Sequence, residues 1–149
     1  MAANALLENS RSMEKKWGSE VAGAGFTALP NHLLSINQFL PPNEQISPTE
    51  MLILLQVLAA WWSADRMPFP SKATIGRRAG LSPRQVQRAL SSLEQKGLIR
   101  KLVRVHENRA RASNAYDVTG LVQQVRNLAV HHPKAFKRGT ATGAEEQEK

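Results

Sequence analysis

The 149-residue sequence contains no cysteine. That absence removes disulfide frameworks, thiolate zinc sites and cysteine nucleophiles together, and it fits a reducing cytoplasm. Long apolar runs are missing too: the most hydrophobic stretch, Met51 to Trp62, falls short of the roughly 20 residues a membrane helix requires. The N-terminus has no charged segment followed by a long apolar one, so neither a signal peptide nor a stop-transfer segment is expected, and the expected location is cytoplasmic. Aromatic residues make up 5% of the chain, with one tyrosine. A nicking tyrosine could therefore only be Tyr116, which lies in an apolar predicted strand and lacks a neighbouring histidine pair. Walker-type phosphate loops and serines in a strained strand-to-helix turn are absent as well. His32 and the pair His131-His132 lack further ligands at metal spacing. Gly23-Ala24-Gly25 lacks the third glycine of a dinucleotide loop, and Pro30 opposes the helix such a loop needs. The expectation is a non-enzymatic protein with no cofactor, metal or small-molecule ligand.

What the chain does have is positive charge in one place. The formal net charge is +8, but residues 66–111 hold twelve Lys and Arg against two Glu, whereas residues 1–65 carry net −3 and residues 112–149 net +1. A field of that density attracts a polyanion.

The charged segment also carries the clearest local structure. Ser82-Pro83-Arg84-Gln85 is a capping box with proline at the first helical position, and Leu81 and Val86 have the spacing of a hydrophobic staple. Val86, Ala89, Leu90 and Leu93 form one apolar stripe. The opposite face shows Arg84, Gln85, Gln87, Arg88 and Ser91, side chains that can donate to guanine, bind adenine bidentately or reach phosphates. Upstream, Ser71 can cap a short helix through Ala79, ended by Gly80. Downstream, Lys96-Gly97 closes the second helix. Leu98 to Val105 reads as a basic strand, His106 to Arg111 as a polar loop, and Asn114 to Val118 as a return strand. Helix, turn, helix and basic hairpin predict a mainly α fold with a small β-hairpin, a winged helix-turn-helix.

These residues resemble the winged helix-turn-helix domains of bacterial plasmid and phage replication, maintenance and transcription-regulatory proteins. The resemblance covers roughly residues 26–119. It is carried by Pro70 to Ile75, by Gly80 to Leu90 and by Leu93-Glu94-Gln95-Lys96-Gly97-Leu98-Ile99-Arg100. Gly76 departs from the alanine usual there, a change that either permits close helix approach or only softens the helix, at about 1 kcal/mol of propensity. The fold so implied binds double-stranded DNA. Arg84, Gln85, Gln87 and Arg88, with Ser91, are expected to read bases. Ser71, Lys72, Thr74, Arg77, Arg104, Arg109 and Arg111 complete the expected interface, its basic members holding phosphates or a minor groove.

The remainder of the chain frames this unit. Residues 1–25, with Leu6, Leu7, Met13 and Trp17, read as a flexible arm. Residues 26–130 form the DNA-binding domain. Asn31 can cap a helix running to Leu40, with Leu33, Leu34, Ile36, Phe39 and Leu40 inward, before Pro41-Pro42. Ser47-Pro48-Thr49-Glu50 is a second capping box, opening a helix through Trp62 that is apolar almost all round. Trp61 and Trp62 would point about 100° apart on it, leaving one in need of a cover. Thr119 can cap a last helix to about Val130, whose Leu121, Val122, Val125 and Leu128 stripe either packs home or pairs with a second copy. Residues 131–149 read as a disordered tail. Three roles fit: a transcriptional regulator or plasmid or phage maintenance factor, with two copies per site or a homodimer; an accessory origin-binding replication protein; or a winged-helix module for an acidic protein partner.

Overall fold

The computed structural model describes residues 2–105 and 112–136. The expected wing loop with Arg109 and Arg111, and the tail from residue 137 onward, lie outside the described residues. Among the described residues seven α-helices and two strands follow in order: α1 (Ala2–Trp17), α2 (Ser19–Ala24), α3 (Asn31–Leu34), α4 (Pro48–Ala59), α5 (Lys72–Ala79), α6 (Pro83–Gln95), β1 (Arg100–Leu102), β2 (Ala115–Asp117) and α7 (Thr119–His131). The strands form an antiparallel hairpin in which Arg100 faces Asp117 and Leu102 faces Ala115. The architecture is a winged helix-turn-helix.

The core is built where the apolar stripes of α4, α5 and α6 converge. Ile53, Leu54 and Val57 of α4, Ile75 of α5, and Val86 and Leu93 of α6 are all fully enclosed, with Leu33 and Ile36 beneath and Tyr116 and Leu121 closing the far side. Both capping boxes form: Ser47 Oγ accepts from Glu50 N at 3.1 Å and Ser82 Oγ from Gln85 N at 3.2 Å, with Glu50 and Gln85 reaching back to the cap N–H groups. These satisfy N–H groups that helix starts leave orphaned. Ser71 caps α5, and Gly80 ends it at φ 70°, in the left-handed region that glycine enters without penalty. Gly76 serves close approach: a Cβ there would lie 2.9 Å from the Leu81 carbonyl oxygen and 3.5 Å from a Val86 methyl.

Several elements differ from the sequence expectation. Helix α4 stops at Ala59, and Trp61 and Trp62 lie beyond it in the following loop. Trp61 packs on the core, while Trp62 is 85% exposed. The expected helix from Asn31 to Leu40 is a single turn, α3, followed by a 3-10 turn over Ile36–Phe39. Pro30 occupies the cap position without a side-chain bond, and Leu34 faces solvent. The 3-10 turn is tied to the entry of α4 because the Asn37 side chain donates to and accepts from the Ile46 backbone, at 2.7 and 2.8 Å. The N-terminal segment holds the helices α1 and α2, where the sequence suggested a flexible arm.

Helix α7 starts as expected, with a different cap. Thr119 is its first residue, and the Asp117 carboxylate accepts from the Thr119 N–H at 2.9 Å and hydroxyl at 2.6 Å. Its first turn is pressed onto the α6–β1 turn: Leu121 N donates to Leu98 O at 3.0 Å, and Gly120 lies directly against the Gly97 carbonyl. Leu121 is buried, and Val122, Val125 and Leu128 pack on the core, so the stripe completes this domain. Past its end the chain stays close: His32 Nε2 lies 2.8 Å from the His132 carbonyl oxygen, and the Phe136 ring meets the His32 ring edge-on at 4.8 Å.

Candidate nucleic-acid interface

The recognition face follows from which side of α6 the core consumes. With Val86, Ala89, Leu90 and Leu93 inward, helical geometry places Arg84, Arg88, Ser91 and Gln95 within about 60° of one another on the opposite side. Arg84, Arg88 and Gln95 are exposed and Ser91 is half-buried. Gln85 and Gln87 flank this row, one to either side, and both are engaged. Gln85 Oε1 accepts from Ser82 N at 3.0 Å, which leaves only its amide hydrogens to donate outward. Gln87 Nε2 donates to Ser91 Oγ at 3.0 Å, a bond that holds the two side chains side by side. The two arginines, one turn apart, are the long donors with unobstructed reach.

Gln95 is a residue the sequence reading passed over. It lies seven residues beyond Arg88 and eleven beyond Arg84, so extending the helical repeat one turn further would have found it.

The α5 side of the motif supplies a second row. Ser71 Oγ accepts from Thr74 N at 3.0 Å and donates to Thr74 Oγ1 at 2.8 Å, so its bonding is used within the cap, while the Thr74 hydroxyl proton remains free to donate outward. Arg77 and Arg78 are exposed on α5. Lys72 sits with Gln87, Ser91, Glu94 and Lys101 around a shallow cleft between α5, α6 and β1. Lys101 and Arg78, like Gln95, extend the expected set; both belong to the basic segment that the charge count singles out. Arg104 is placed differently from a free phosphate hand. Its guanidinium lies 4.2 Å from the centroid of the Phe69 ring and Nη1 donates to Ser113 O at 3.4 Å. Cation–π contact and hydrogen bond together fasten the wing's stem to the segment before α5.

Two carboxylates fix the frame that presents these side chains. Glu50, buried at the start of α4, forms an ion pair with Lys96 Nζ at 2.7 Å and accepts from Ser92 Oγ at 3.1 Å, so α4 is clamped to the C-terminal end of α6. Burial pushes its carboxyl up, but the hydrogen bonds from Lys96, Ser47 and Ser92 outweigh it and hold the group below its ordinary value of 4.5. Asp117 is held below 3.8 by the Thr119 hydroxyl and N–H, with Arg100 at 3.3 Å assisting. A carboxylate whose folded value is depressed adds stability above its unfolded value and loses it as pH falls through the folded one. The fold should therefore keep its full stability down to about pH 5 and weaken progressively below about pH 4.5. Glu50→Gln should cost about 1 to 3 kcal/mol at pH 7 and leave a flatter acid limb; urea unfolding from pH 7 to pH 3 measures both, and an unchanged acid limb would exclude Glu50 as its source.

Tyr116, the one tyrosine, is 1% exposed, and burial pushes its hydroxyl up. It is a core residue and cannot present its oxygen to a DNA backbone. Among the described residues no helix is long and apolar enough to cross a membrane.

Comparison with curated proteins gives no match. The stretch from the turn before α4 to the residue before β1 is similar to a known family: residues 44–99 fit the model of a helix-turn-helix domain.

Proposed function

We propose that the protein is a sequence-specific double-stranded DNA-binding protein, a transcriptional regulator or plasmid or phage maintenance factor, that works in the cytoplasm as two copies per site. The observation that carries this reading is the outward row of α6. Arg84, Arg88 and Gln95 stand exposed opposite the core on a helix whose start is fixed by a complete capping box. Arg pairs bidentately with guanine and Gln with adenine, so the row is chemically suited to base edges in a major groove. Lys72, Arg77, Arg78 and Lys101 supply the backbone contacts that set register without selecting sequence. Arg104 then acts by positioning the wing. Residues 26–130 form the DNA-binding unit. One recognition helix and one wing read too few base pairs to single out a site, which is the reason for two copies.

Footprinting on DNA flanking the protein's own gene tests this reading. A protected promoter site, or a set of regularly repeated sites, is the expected result. Protection of a replication origin would instead assign the accessory replication role, and absence of any protected sequence would overturn base reading by α6.

A further inference from the structure

An apolar cleft of about 620 Å³ opens on the domain where the segment entering α3, the end of α4 and the middle of α7 meet. Its walls include Phe26, Leu29, Trp61, Trp62 and Val125, with Arg126 the charged residue among them. Trp62 at 85% exposure is far more open than a monomer needs; a patch of this kind marks a binding surface.

The same chain carries an equally uncovered helix. Helix α1 packs chiefly against its neighbour α2. A helix of 16 residues, like most in proteins, draws the larger part of its stability from burying an apolar face. Trp17 on that helix is 65% exposed, with Met13 one turn before it. The segment after α2 leads straight into the cleft wall at Phe26, through Gly25 at φ 115°, a conformation that suits a hinge. Glu14, one turn before Trp17, carries the charge opposite to that of Arg126 in the cleft wall. Among the described residues neither forms an ion pair.

We propose that the cleft receives α1 of a second copy, with Trp17 as its anchor, so that two chains exchange N-terminal helices about a two-fold axis. The tether gives a chain's own α1 first access, yet the helix and the cleft stand apart and open in one molecule. Reciprocal exchange closes both patches on both chains with one self-complementary contact, and exchange of an element is a low-cost route to a dimer. The inference rests on the two-copy reading above, and its test is run without DNA so that failed pairing and failed DNA reading are told apart.

Sedimentation of the 149-residue chain should show a dimer. Trp17→Glu and Trp62→Glu, both at exposed positions, should each raise its dissociation constant by at least about thirtyfold, as loss of a central tryptophan does, with helical circular dichroism retained. Because the chain has no cysteine, Met13→Cys and Ala59→Cys variants can be mixed. A disulfide or short bis-maleimide bridge between the two different chains is expected in the mixture and not in either variant alone. A monomer at 100-fold the DNA-binding concentration would overturn the proposal. So would a dimer indifferent to both tryptophans, or a Met13→Cys/Ala59→Cys double variant that bridges only within one chain.

Discussion

Gly120→Ala is expected to destabilise the protein by about 3 kcal/mol, seen as a fall in Tm of about 10 °C. A Cβ at this position would fall directly on the Gly97 carbonyl oxygen and lie 3.1 Å from its carbonyl carbon. Both are backbone atoms, so no side chain can swing away. Gly97 itself holds φ 74°, which leaves the α6–β1 turn few alternatives. The first turn of α7 must therefore retreat. That breaks the Leu121 N–H bond to Leu98 O and lifts Leu121 out of the core. Because the same turn sets β1 against α6, loss of DNA affinity should accompany loss of stability. Thermal unfolding followed by circular dichroism checks the first effect; a Tm within about 2 °C of the parent would show that α7 does not need this contact.

Arg88→Ala is expected to weaken binding to the specific site by about 1 to 3 kcal/mol, roughly ten- to hundredfold, and to change binding to random DNA far less. Arg88 stands in the outward row of α6, where an arginine reads guanine bidentately. Lys101→Ala, on the wing strand, should lower both affinities similarly, because a phosphate contact carries no sequence information. Paired titrations on the footprinted duplex and a scrambled one separate the two behaviours. Equal losses for Arg88→Ala on both duplexes would remove it from base reading.

The features legible in the sequence are those fixed by chemistry within one helical turn. Ser47 with Glu50, Ser82 with Gln85, the cap at Ser71, and the glycines at 80 and 97 each announce a helix end by local chemistry, and each forms. The apolar stripe of α6 follows from its period, and so does the row that faces away from it. Features that depended on distant contacts were not legible. Nothing local stops α4 between Ala59 and Trp62, since its end is a right-handed Ala60 and not a glycine. Arg104 reads as a phosphate hand until Phe69, thirty-five residues earlier in the chain, is seen beneath its guanidinium. Gly120 reads as an ordinary weakness in the first turn of a helix until Gly97 is found against it. Gly76 posed both possibilities in sequence, and only the position of Leu81 O decides for close approach.

The most direct measurement of DNA binding through this basic face is the affinity of the 149-residue chain for its footprinted duplex over a salt series. Each neutralised phosphate steepens the logarithmic slope by about 0.9, so four contacts from Lys72, Arg77, Arg78 and Lys101 should give a slope of about −3 to −4 per copy bound, reduced by about 1 in Lys101→Ala. An affinity nearly independent of salt would contradict DNA binding and favour an acidic protein partner for the same face.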